Sequence, residues 1–411
     1  MALINSQVLK VARNEVQEEM DKRVNVYKTL HPAVSLVRLD SSDAILPLTA
    51  GVVGAMLESV QEMGKDATTK GIAPIKGYPF LLDAIVKNDF KARGIKITVD
   101  DIFVNAGVKQ DISGIGDILC KDNRIAVLDP ISQTYVESNV IGYRAGILEK
   151  NHRWSNVLYL SATPENNYIP TFPDERPDIV FLSYPNNPTG MAITQEALRE
   201  WVNYAIANKV LILFDATYEA FITEEGLPHS IYEIKDAHKV AIEFHSFAKS
   251  AGFTGLHCGY TVIPKEVKGY SLNYGKHVLL NELWMQRQQV KNNAPPYILQ
   301  RAAAALYTPA GKSETRTNVD YYMTNVAMLS RALQEKGLTF CGGVNSPYLW
   351  VQSPEQNSWK LFEQLLYNCQ IVSVPGEMYG NNAGGYVRIS AFAEQKEVIK
   401  ACSRLSTNLE V

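Results

Sequence analysis

The 411-residue sequence is poor in cysteine and lacks any cysteine pair with the spacing of a redox or metal-binding motif. The five cysteines are scattered singly along the chain: Cys120, Cys258, Cys341, Cys369 and Cys402. An odd, dispersed set does not build a disulfide framework, and the seven histidines show no H-E-x-x-H or similar ligand spacing. We therefore expect a reduced, cytoplasmic protein without a metal site.

Long hydrophobic runs and basic runs are also missing. The longest apolar stretches, such as VLILF at 210–214, are too short to span a bilayer, and the first twenty residues lack the apolar core of a signal peptide. Lysine plus arginine total 40 and aspartate plus glutamate total 43, which gives a net charge of −3. These features argue against a membrane or nucleic acid as partner and indicate a soluble globular protein.

Short apolar runs rich in β-branched residues alternate with longer amphipathic segments in the middle of the chain. Four of these runs are predicted to be buried parallel strands: RIAVLD (124–129), DIVFLS (178–183), VLILFD (210–215) and VAIEFH (240–245). Between the second and third, residues 194–209 carry apolar residues at helical spacing, with Thr194 as the predicted N-cap. This alternation predicts an α/β fold with a mostly parallel sheet.

The pattern changes in the last quarter of the sequence. It predicts a long helix over 315–337, strands at 338–342, 347–352, 370–374 and 386–390, and a closing helix at 393–408. We interpret residues 48–295 as a large domain. Residues 1–47 together with 296–411 are predicted to form a smaller α+β domain.

Three of the predicted strands are followed by polar residues of chemical interest. An amide (Asn187), a carboxylate (Asp215) and an amine (Lys249) lie at or just beyond successive strand ends. Because the carboxyl ends of parallel strands meet at one edge of a sheet, these groups are expected to converge there. Each alone can be explained as part of a turn or helix cap, and their order favours a common site.

With these motifs the sequence resembles a fold-type-I pyridoxal-phosphate enzyme of the class I/II aminotransferase superfamily, and it is most similar to the LL-diaminopimelate aminotransferase group. The resemblance covers nearly the whole chain and includes SYPNNPTG, FDATY, SFAKSAGFTGLHCGY, SPYLWV and GYVRISAF. It implies pyridoxal 5'-phosphate as cofactor, bound by the large domain. It also implies an amino-acid substrate and a homodimer with shared active sites.

The resemblance implies roles for the residues at the strand ends. Lys249 would bind the cofactor covalently and move protons at the substrate carbons. Asp215 would pair with the pyridinium nitrogen. Asn187 and Tyr218 would form hydrogen bonds to the phenolic oxygen of the cofactor ring.

The cofactor phosphate would be held by Ser246 and by backbone N–H groups of Gly107 and Val108, with Lys109 near the cofactor or substrate. Family members carry an arginine where this sequence has His257. Histidine is shorter and only partly charged at neutral pH, so the resemblance implies a weaker or rebuilt phosphate contact. The alternative is that His257 points elsewhere and packs in the core.

Arg388, in GYVRIS, matches the arginine that clamps the substrate α-carboxylate, a bidentate contact that suits a guanidinium. The structural alternative for Arg388 is a surface ion pair on a strand. The other predicted substrate contacts are Asn187, Lys109, Asp40, Ser42 and Asn292.

Several elements depart from the family pattern. The tyrosine that stacks on the cofactor ring is replaced by Ser132, although Tyr135 is retained. In the segment 71–77, Ile72 and Ile75 stand where family members have a tyrosine that reaches the neighbouring phosphate and a glutamate that recognises the distal end of the substrate. At the mouth of the site, LDSSD replaces L-G-I-G-D.

These departures leave more than one function open. The glutamate that recognises the distal end of the substrate is lost, whereas Lys249, Asp215 and Arg388 are retained. This combination favours side-chain elimination, replacement or cyclisation. One example is closure of a hydroxylated arginine to a cyclic guanidino amino acid, with Asp40 and Glu219 as candidate partners of the guanidinium. The alternative is an aminotransferase that moves the α-amino group of a basic or dicarboxylic amino acid to a keto acid. A non-catalytic binding protein is disfavoured because Lys249 and its partners are retained.

Overall fold

The computed structural model describes residues 2–11 and 15–409. Its α-helices are α1 (Glu15–Leu30), α2 (Ala50–Met63), α3 (Pro79–Ile85), α4 (Val108–Gly114), α5 (Thr134–Ile141), α6 (Gln195–Asn208), α7 (Leu280–Lys291), α8 (Tyr297–Ala305), α9 (Pro309–Glu335), α10 (Ser358–Tyr367) and α11 (Gln395–Asn408). Its strands are β1 (Val37–Arg38), β2 (Ile102–Asn105), β3 (Ile125–Asp129), β4 (Val157–Ser161), β5 (Ile179–Ser183), β6 (Leu211–Asp215), β7 (Ala241–Ser246), β8 (Gly259–Val262), β9 (Lys268–Ser271), β10 (Lys276–Leu279), β11 (Phe340–Gly342), β12 (Tyr348–Gln352), β13 (Ile371–Val372), β14 (Val374–Pro375) and β15 (Tyr386–Ser390).

A seven-stranded mixed sheet forms the centre of the larger part of the molecule. Its strand order is β2-β8-β7-β6-β5-β3-β4, and β8 runs antiparallel to both of its neighbours. The four strands predicted from the sequence, β3, β5, β6 and β7, are confirmed and run parallel. Strands β3 and β5 are buried at every residue, as expected for a sheet covered on both faces.

Helix α6 covers part of this sheet and agrees with its prediction. The side chain of Thr194 accepts a hydrogen bond from the N–H of Ala197 at 3.2 Å and so caps the helix. Leu198, Trp201 and Val202 on the inner face of α6 are buried in the hydrophobic core of the sheet. Strands β2, β4 and β8 were not predicted from the sequence.

A second, smaller core joins the two ends of the described chain. The four-stranded sheet β11-β12-β15-β14 is accompanied by β1, which pairs in parallel with β13. Met20, Val24 and Val37 pack in one cluster with residues of α9, α10 and α11. The division at 295/296 stays a prediction. Ala302 and Ala303 of α8, which follow this boundary in the sequence, pack in the larger core. Residues 1, 12–14, 410 and 411 of the predicted small domain lie outside the described residues.

Two predicted elements have different bounds in the structure. The long helix begins at Pro309, because the side chain of Thr308 accepts a hydrogen bond from the N–H of Gly311 and proline is favourable in the first helical turn. The strand predicted at 370–374 is divided between β13 and β14, which pair with β1 and β15 respectively. The sequence thus identified both elements; a local cap sets the start of the helix, and pairing with β1 and β15 divides the strand.

The described residues contain neither a candidate membrane-spanning helix nor a candidate metal site. No helix within residues 2–11 and 15–409 combines the length and apolarity needed to cross a bilayer. Over the same ranges, no group of three or more histidine, cysteine, aspartate or glutamate side chains is arranged to hold a metal ion.

Candidate active site

The parallel strands bring their carboxyl ends to one edge of the sheet. Asp215 is the last residue of β6, and its Cα is paired with that of Ser183 at the end of β5. Lys249 lies three residues beyond the end of β7, in the turn that follows Ser246. The order of the motifs along the sequence therefore corresponds to neighbouring strand ends in the fold.

Ser42 contacts both the amine of Lys249 and the guanidinium of Arg388. Lys249 Nζ donates to the carbonyl oxygen of Ser42 at 2.5 Å, and Arg388 Nη1 donates to Ser42 Oγ at 2.8 Å. Asp43 Oδ1 lies a further 3.9 Å from Lys249 Nζ. Lys249 and Arg388 therefore both contact Ser42, although more than a hundred positions separate them in the sequence.

Arg388 is buried in an ordered environment. Its side chain donates to Asn187 Oδ1 at 2.9 Å and to the carbonyl oxygen of Asp40 at 2.6 Å, and its guanidinium carbon lies 4.7 Å from the centre of the Tyr348 ring. The residue is only 3% exposed, so the alternative of a surface ion pair is wrong. Arg388 Nε has no acceptor among the described residues, which leaves a donor available to a carboxylate.

The carboxylate of Asp215 is buried and fixed from two sides. Its Oδ1 accepts from the N–H of Thr217 at 2.8 Å, and its Oδ2 accepts from the hydroxyl of Tyr135. Burial raises the pKa of the Asp215 carboxyl, and the hydrogen bonds from Thr217 and Tyr135 oppose that rise. A cation placed beside this carboxylate would lower its pKa, as a protonated ring nitrogen does.

Sequence reasoning noted that Tyr135 was retained but assigned it no role. The hydroxyl of Tyr135 lies within hydrogen-bonding distance of Asp215 although 80 residues separate the two in the chain. The position of Tyr135 shortly after β3, at the same edge of the sheet as Asp215, could have indicated this contact.

Asn187 and Tyr218 have protein partners in the structure. Asn187 Oδ1 accepts from Arg388, and the hydroxyl of Tyr218 lies 2.7 Å from the hydroxyl of Tyr348. Ser246 Oγ accepts from the N–H of Ala248 at 3.2 Å and can still donate its own proton. The predicted contacts of these residues to a cofactor therefore stay predictions.

The predicted phosphate site is formed where β2 turns into α4. The N–H of Gly107 is already taken by Asn105 Oδ1 at 3.0 Å, whereas the N–H of Val108, at the first helical position, has no acceptor within the helix. Lys109 is exposed on the same turn. Of the two backbone donors predicted from the sequence, Val108 is the one that remains available.

His257 lies against this turn and faces solvent. Its Cβ and Nδ1 are 3.5 and 3.6 Å from the position that a Cβ on Gly107 would occupy, and Gly107 has a φ of +109°. The alternative that His257 packs in the core is wrong, because the residue is exposed. A contact from His257 to a phosphate at Val108 is compatible with this placement and stays a prediction.

A buried hydrogen-bond network supports the turn from below. Asp111 Oδ2 accepts from Asn105 Nδ2 at 2.8 Å and from Thr261 Oγ1 at 2.6 Å, while Asp111 Oδ1 has no partner among the described residues. Asn105 in turn accepts from the N–H of Gly107. Burial raises the pKa of Asp111 to about 6, with the two hydrogen bonds opposing the rise.

This network predicts a pH-dependent stability. The pKa of Asp111 is higher in the folded protein than in the unfolded chain. Between these two pKa values the Asp111 carboxyl is protonated in the folded state and ionised in the unfolded state. The free energy of unfolding therefore falls as pH rises from the unfolded pKa to the folded pKa. Relative to Asp111→Asn, the parent should lose about 2 kcal/mol of unfolding free energy between about pH 4 and pH 7. Denaturant unfolding at each pH measures the difference. Asp122→Asn, at an exposed aspartate, is the control, and parallel curves for the parent and Asp111→Asn would contradict the prediction.

Two carboxylates predicted as candidate partners of a substrate guanidinium are paired within the chain. Asp40 forms a two-point ion pair with Arg38, at 2.8 and 2.5 Å. Glu219 lies 2.9 Å from His229 Nδ1 and 3.4 Å from Arg93 Nη2. Asp40 reaches the site through its carbonyl oxygen on Arg388, so its carboxylate is not free for a substrate as the sequence had suggested.

The segment 71–77 and Asn292, which the resemblance places at a neighbouring subunit's site, lie at the surface and near α4. Ile72 is 82% exposed and Ile75 is half-buried. The Asn292 side-chain oxygen, in the amide orientation that satisfies its neighbours, accepts from Arg287 Nη1 at 2.6 Å and Gln110 Nε2 at 2.9 Å. That the segment 71–77 and Asn292 reach a partner's site stays a prediction, and the structure gives Ile72 and Ile75 no contact among the described residues that replaces the tyrosine and glutamate of the family.

The residues present are suited to the predicted cofactor. Lys249 supplies an amine, and Asp215 supplies a buried carboxylate with a raised pKa that a pyridinium would satisfy. The N–H of Val108 and the hydroxyl of Ser246 supply donors suited to a phosphate.

Comparison with known proteins gives a consistent result. The family model described as aminotransferase class I and II matches residues 35–405. The chain is 47% identical over 406 residues to the LL-diaminopimelate aminotransferase of Parabacteroides distasonis, covering 98% of this chain and 99% of that protein. It is 42% identical over 410 residues to the protein of the same name from Lawsonia intracellularis, with both chains fully covered.

Solved structures show the same relation. The L,L-diaminopimelate aminotransferase of Chlamydomonas reinhardtii superposes with a TM-score of 0.86 at 31% identity, covering 96% of this chain and 97% of that chain. A mutant aspartate aminotransferase of Thermus thermophilus has a TM-score of 0.82 at 19% identity with 99% of both chains covered, which supports the fold alone.

Proposed function

This chain belongs to the class I and II aminotransferase family, and from that premise we propose that it transfers the α-amino group of a basic or dicarboxylic amino acid to a keto acid. It is an enzyme with the fold-type-I architecture, and its cofactor is pyridoxal phosphate. Relatives of 42–47% identity carry the name LL-diaminopimelate aminotransferase, and we propose a substrate of that chemical class, with two charged ends.

The observation that carries the proposal is the bridge of Ser42 between Lys249 and Arg388. An amino acid presents its α-carboxylate and its α-carbon only one bond apart. A guanidinium that binds the carboxylate and an amine that moves the α-proton must therefore lie close together. We propose that the substrate carboxylate displaces the Ser42 hydroxyl from Arg388 and also binds the unpartnered Nε–H.

The remaining residues orient the reacting groups. Pyridoxal phosphate, when bound, supplies an electron sink that stabilises negative charge at the substrate α-carbon. Asp215 would hold the ring nitrogen in its protonated form, and Tyr135 and Thr217 fix the orientation of Asp215. Lys249 would take the proton from the substrate α-carbon and return it during the transfer. The rings of Tyr348 and Tyr379 pack against Arg388 and exclude water from the clamp.

The relatives support transamination better than the elimination or cyclisation that the departures from the family pattern had favoured. Every relative reported above is named an aminotransferase. The two carboxylates invoked for a substrate guanidinium are paired to Arg38, Arg93 and His229. Cyclisation of a guanidino substrate therefore has no support of its own in the site.

Stoichiometry without an acceptor tests the proposal. Holoenzyme is incubated with LL-diaminopimelate, L-lysine, L-glutamate, L-aspartate or a hydroxylated arginine, first without a keto acid and then with 2-oxoglutarate. A transaminase converts one equivalent per site and stops, because the amino group remains on the cofactor, and turnover resumes when 2-oxoglutarate is added. Multiple turnovers without a keto acid would contradict transamination and support elimination or cyclisation.

We further propose that the chain acts as a homodimer. Apolar side chains are strongly exposed on the segment 71–77, on the hairpin of β9 and β10 and at the end of α7, including Ile72, Leu272 and Val290. Exposed apolar groups of this size are typical of surfaces covered by a partner. We expect sedimentation of the parent to give twice the chain mass and Ile72→Arg to weaken self-association. A fully active parent monomer at micromolar concentration would contradict the proposal.

The phosphate site gives a further expectation. An arginine at position 257 would carry a permanent charge and two-pronged donors, so His257→Arg should bind pyridoxal phosphate at least as tightly as the parent. Cofactor dissociation constants for both proteins measure it, with His277→Arg on the exposed hairpin as control. Identical constants for the parent and His257→Arg would mean that His257 does not contact the phosphate.

A further inference from the structure

A cavity of about 260 Å³ adjoins the candidate active site. Its lining includes residues of the first turns of α9, of the segment 86–90 and of the loop that follows β7. Ser246, a predicted phosphate contact, and Thr217, which donates to Asp215, form part of its lining, whereas Lys249, Arg388 and Asn187 do not line it. A molecule in this cavity would therefore adjoin the predicted phosphate site without contacting the residues proposed to bind the substrate.

The lining includes the carboxylate of Asp89, with which no described cation forms an ion pair. Asp89 Oδ2 accepts from the hydroxyls of Tyr260 at 2.8 Å and Tyr307 at 2.5 Å, and no described residue donates to Asp89 Oδ1. Burial raises the pKa of the Asp89 carboxyl and the charge of Glu219 adds to the rise, while the two hydrogen bonds and the charge of His245 oppose it. Arg93 and His229 pair with Glu219 rather than with Asp89. Asp89 Oδ1 is therefore an acceptor left open on this lining.

The first two turns of α9 add basic side chains to the lining. Lys312 and Arg316 are both exposed; Arg316 pairs with Asp320 at 2.7 Å, whereas Lys312 Nζ donates to the neutral Asn88 Oδ1 at 2.6 Å. Between them in the sequence, Thr315 Oγ1 is buried and has no hydrogen-bond partner among the described residues. The lining thus combines the carboxylate of Asp89, an amine without a counter-charge and an unpartnered hydroxyl.

We propose that this cavity binds a small zwitterion of the amino-acid class, with its ammonium on Asp89 and its carboxylate near Lys312 and Thr315. The ammonium would donate to Asp89 Oδ1 and give Asp89 an ion-pair partner, and a buried charge is stable only when it is paired. The carboxylate would meet the amine of Lys312, whose partner Asn88 is neutral, and the free hydroxyl donor of Thr315. An anion alone would be repelled by Asp89 and Glu219, and a simple amine would leave Lys312 without a counter-charge and Thr315 without an acceptor. The site is independent of the proposed transamination.

Calorimetric titration of holoenzyme tests the proposal. The cofactor is first fixed to the protein by borohydride, so that no amine can exchange with it. The probes are β-alanine, 4-aminobutanoate and 6-aminohexanoate, which lack an α-amino group and differ in the distance between their charges. Hexanoate and hexylamine are the single-charge controls. We expect at least one ω-amino acid to bind one per protomer, at least about tenfold more tightly than either control.

Three variants assign the binding to a site. Asp89→Asn should weaken binding of that probe at least about tenfold, and Lys312→Ala, at an exposed position that does not endanger folding, should weaken it severalfold. Arg388→Lys should leave the binding unchanged, because Arg388 does not line the cavity. Circular dichroism establishes that Asp89→Asn is folded, and if it is not, Lys312→Ala and Arg388→Lys decide. The proposal is overturned if no probe binds up to about 10 mM. It is equally overturned if Lys312→Ala binds like the parent, or if Arg388→Lys loses the binding.

Discussion

Replacing Lys249 with alanine is expected to lower the turnover number by at least about 10⁴-fold, the largest effect of any single substitution in this chain. Lys249 Nζ lies at the centre of the site, 2.5 Å from the Ser42 carbonyl oxygen. Among the described residues, no other lysine amine is hydrogen-bonded to Ser42, the residue that also contacts Arg388. Without it, neither the covalent bond to the cofactor nor the proton transfer at the α-carbon has a group to perform it.

Two measurements check this expectation. Steady-state assays compare Lys249→Ala with the parent and with Lys121→Ala, an exposed lysine that pairs with Asp122. Borohydride reduction of the parent followed by peptide mapping should place the pyridoxyl mass on the peptide that contains residue 249. A label on another lysine, or substantial turnover by Lys249→Ala, would overturn the assignment of this residue.

Arg388→Lys is expected to raise KM for the amino-acid substrate about 100-fold, which corresponds to about 3 kcal/mol of lost binding free energy. Lysine keeps the charge but cannot provide the fork that Arg388 presents while it is held by Asn187, Ser42 and the carbonyl oxygen of Asp40. The α-carboxylate is bound in the ground state and the transition state alike, so the loss should fall mainly on KM.

The matched control for this prediction is Arg331→Lys, at an arginine on α9 that is exposed and pairs with Glu335. Kinetic constants for both variants are compared with those of the parent for the same substrate. A primary amine without a carboxylate should react equally poorly with the parent and Arg388→Lys, because it makes no contact with the guanidinium. An unchanged KM in Arg388→Lys would show that the substrate carboxylate binds elsewhere.

The extent to which the sequence predicted this molecule varies between its elements. The apolar runs of β3, β5, β6 and β7 were recognised because a strand buried on both faces needs apolar residues at nearly every position. Strand β8 was missed because its residues, GYTV, follow a glycine-rich turn and mix small and polar residues with apolar ones. The turn at Gly107 was recognised as a candidate site, but its supporting network of Asn105, Asp111 and Thr261 was not.

The sequence alone determined the identities and the order of Asn187, Asp215, Lys249 and Arg388. For Asn187, Asp215 and Lys249, order along the chain translates into position because successive parallel strands deliver their ends to one edge of a sheet. Arg388 lies on β15 of the antiparallel sheet, so its place in the site came from the tertiary structure. Only the tertiary structure decided how these groups are partnered. Ser42 lies 207 residues from Lys249 and 346 from Arg388, yet it contacts both. Side-chain hydrogen bonds and ion pairs depend on distances of a few ångströms between segments far apart in the chain, and no local pattern encodes those distances.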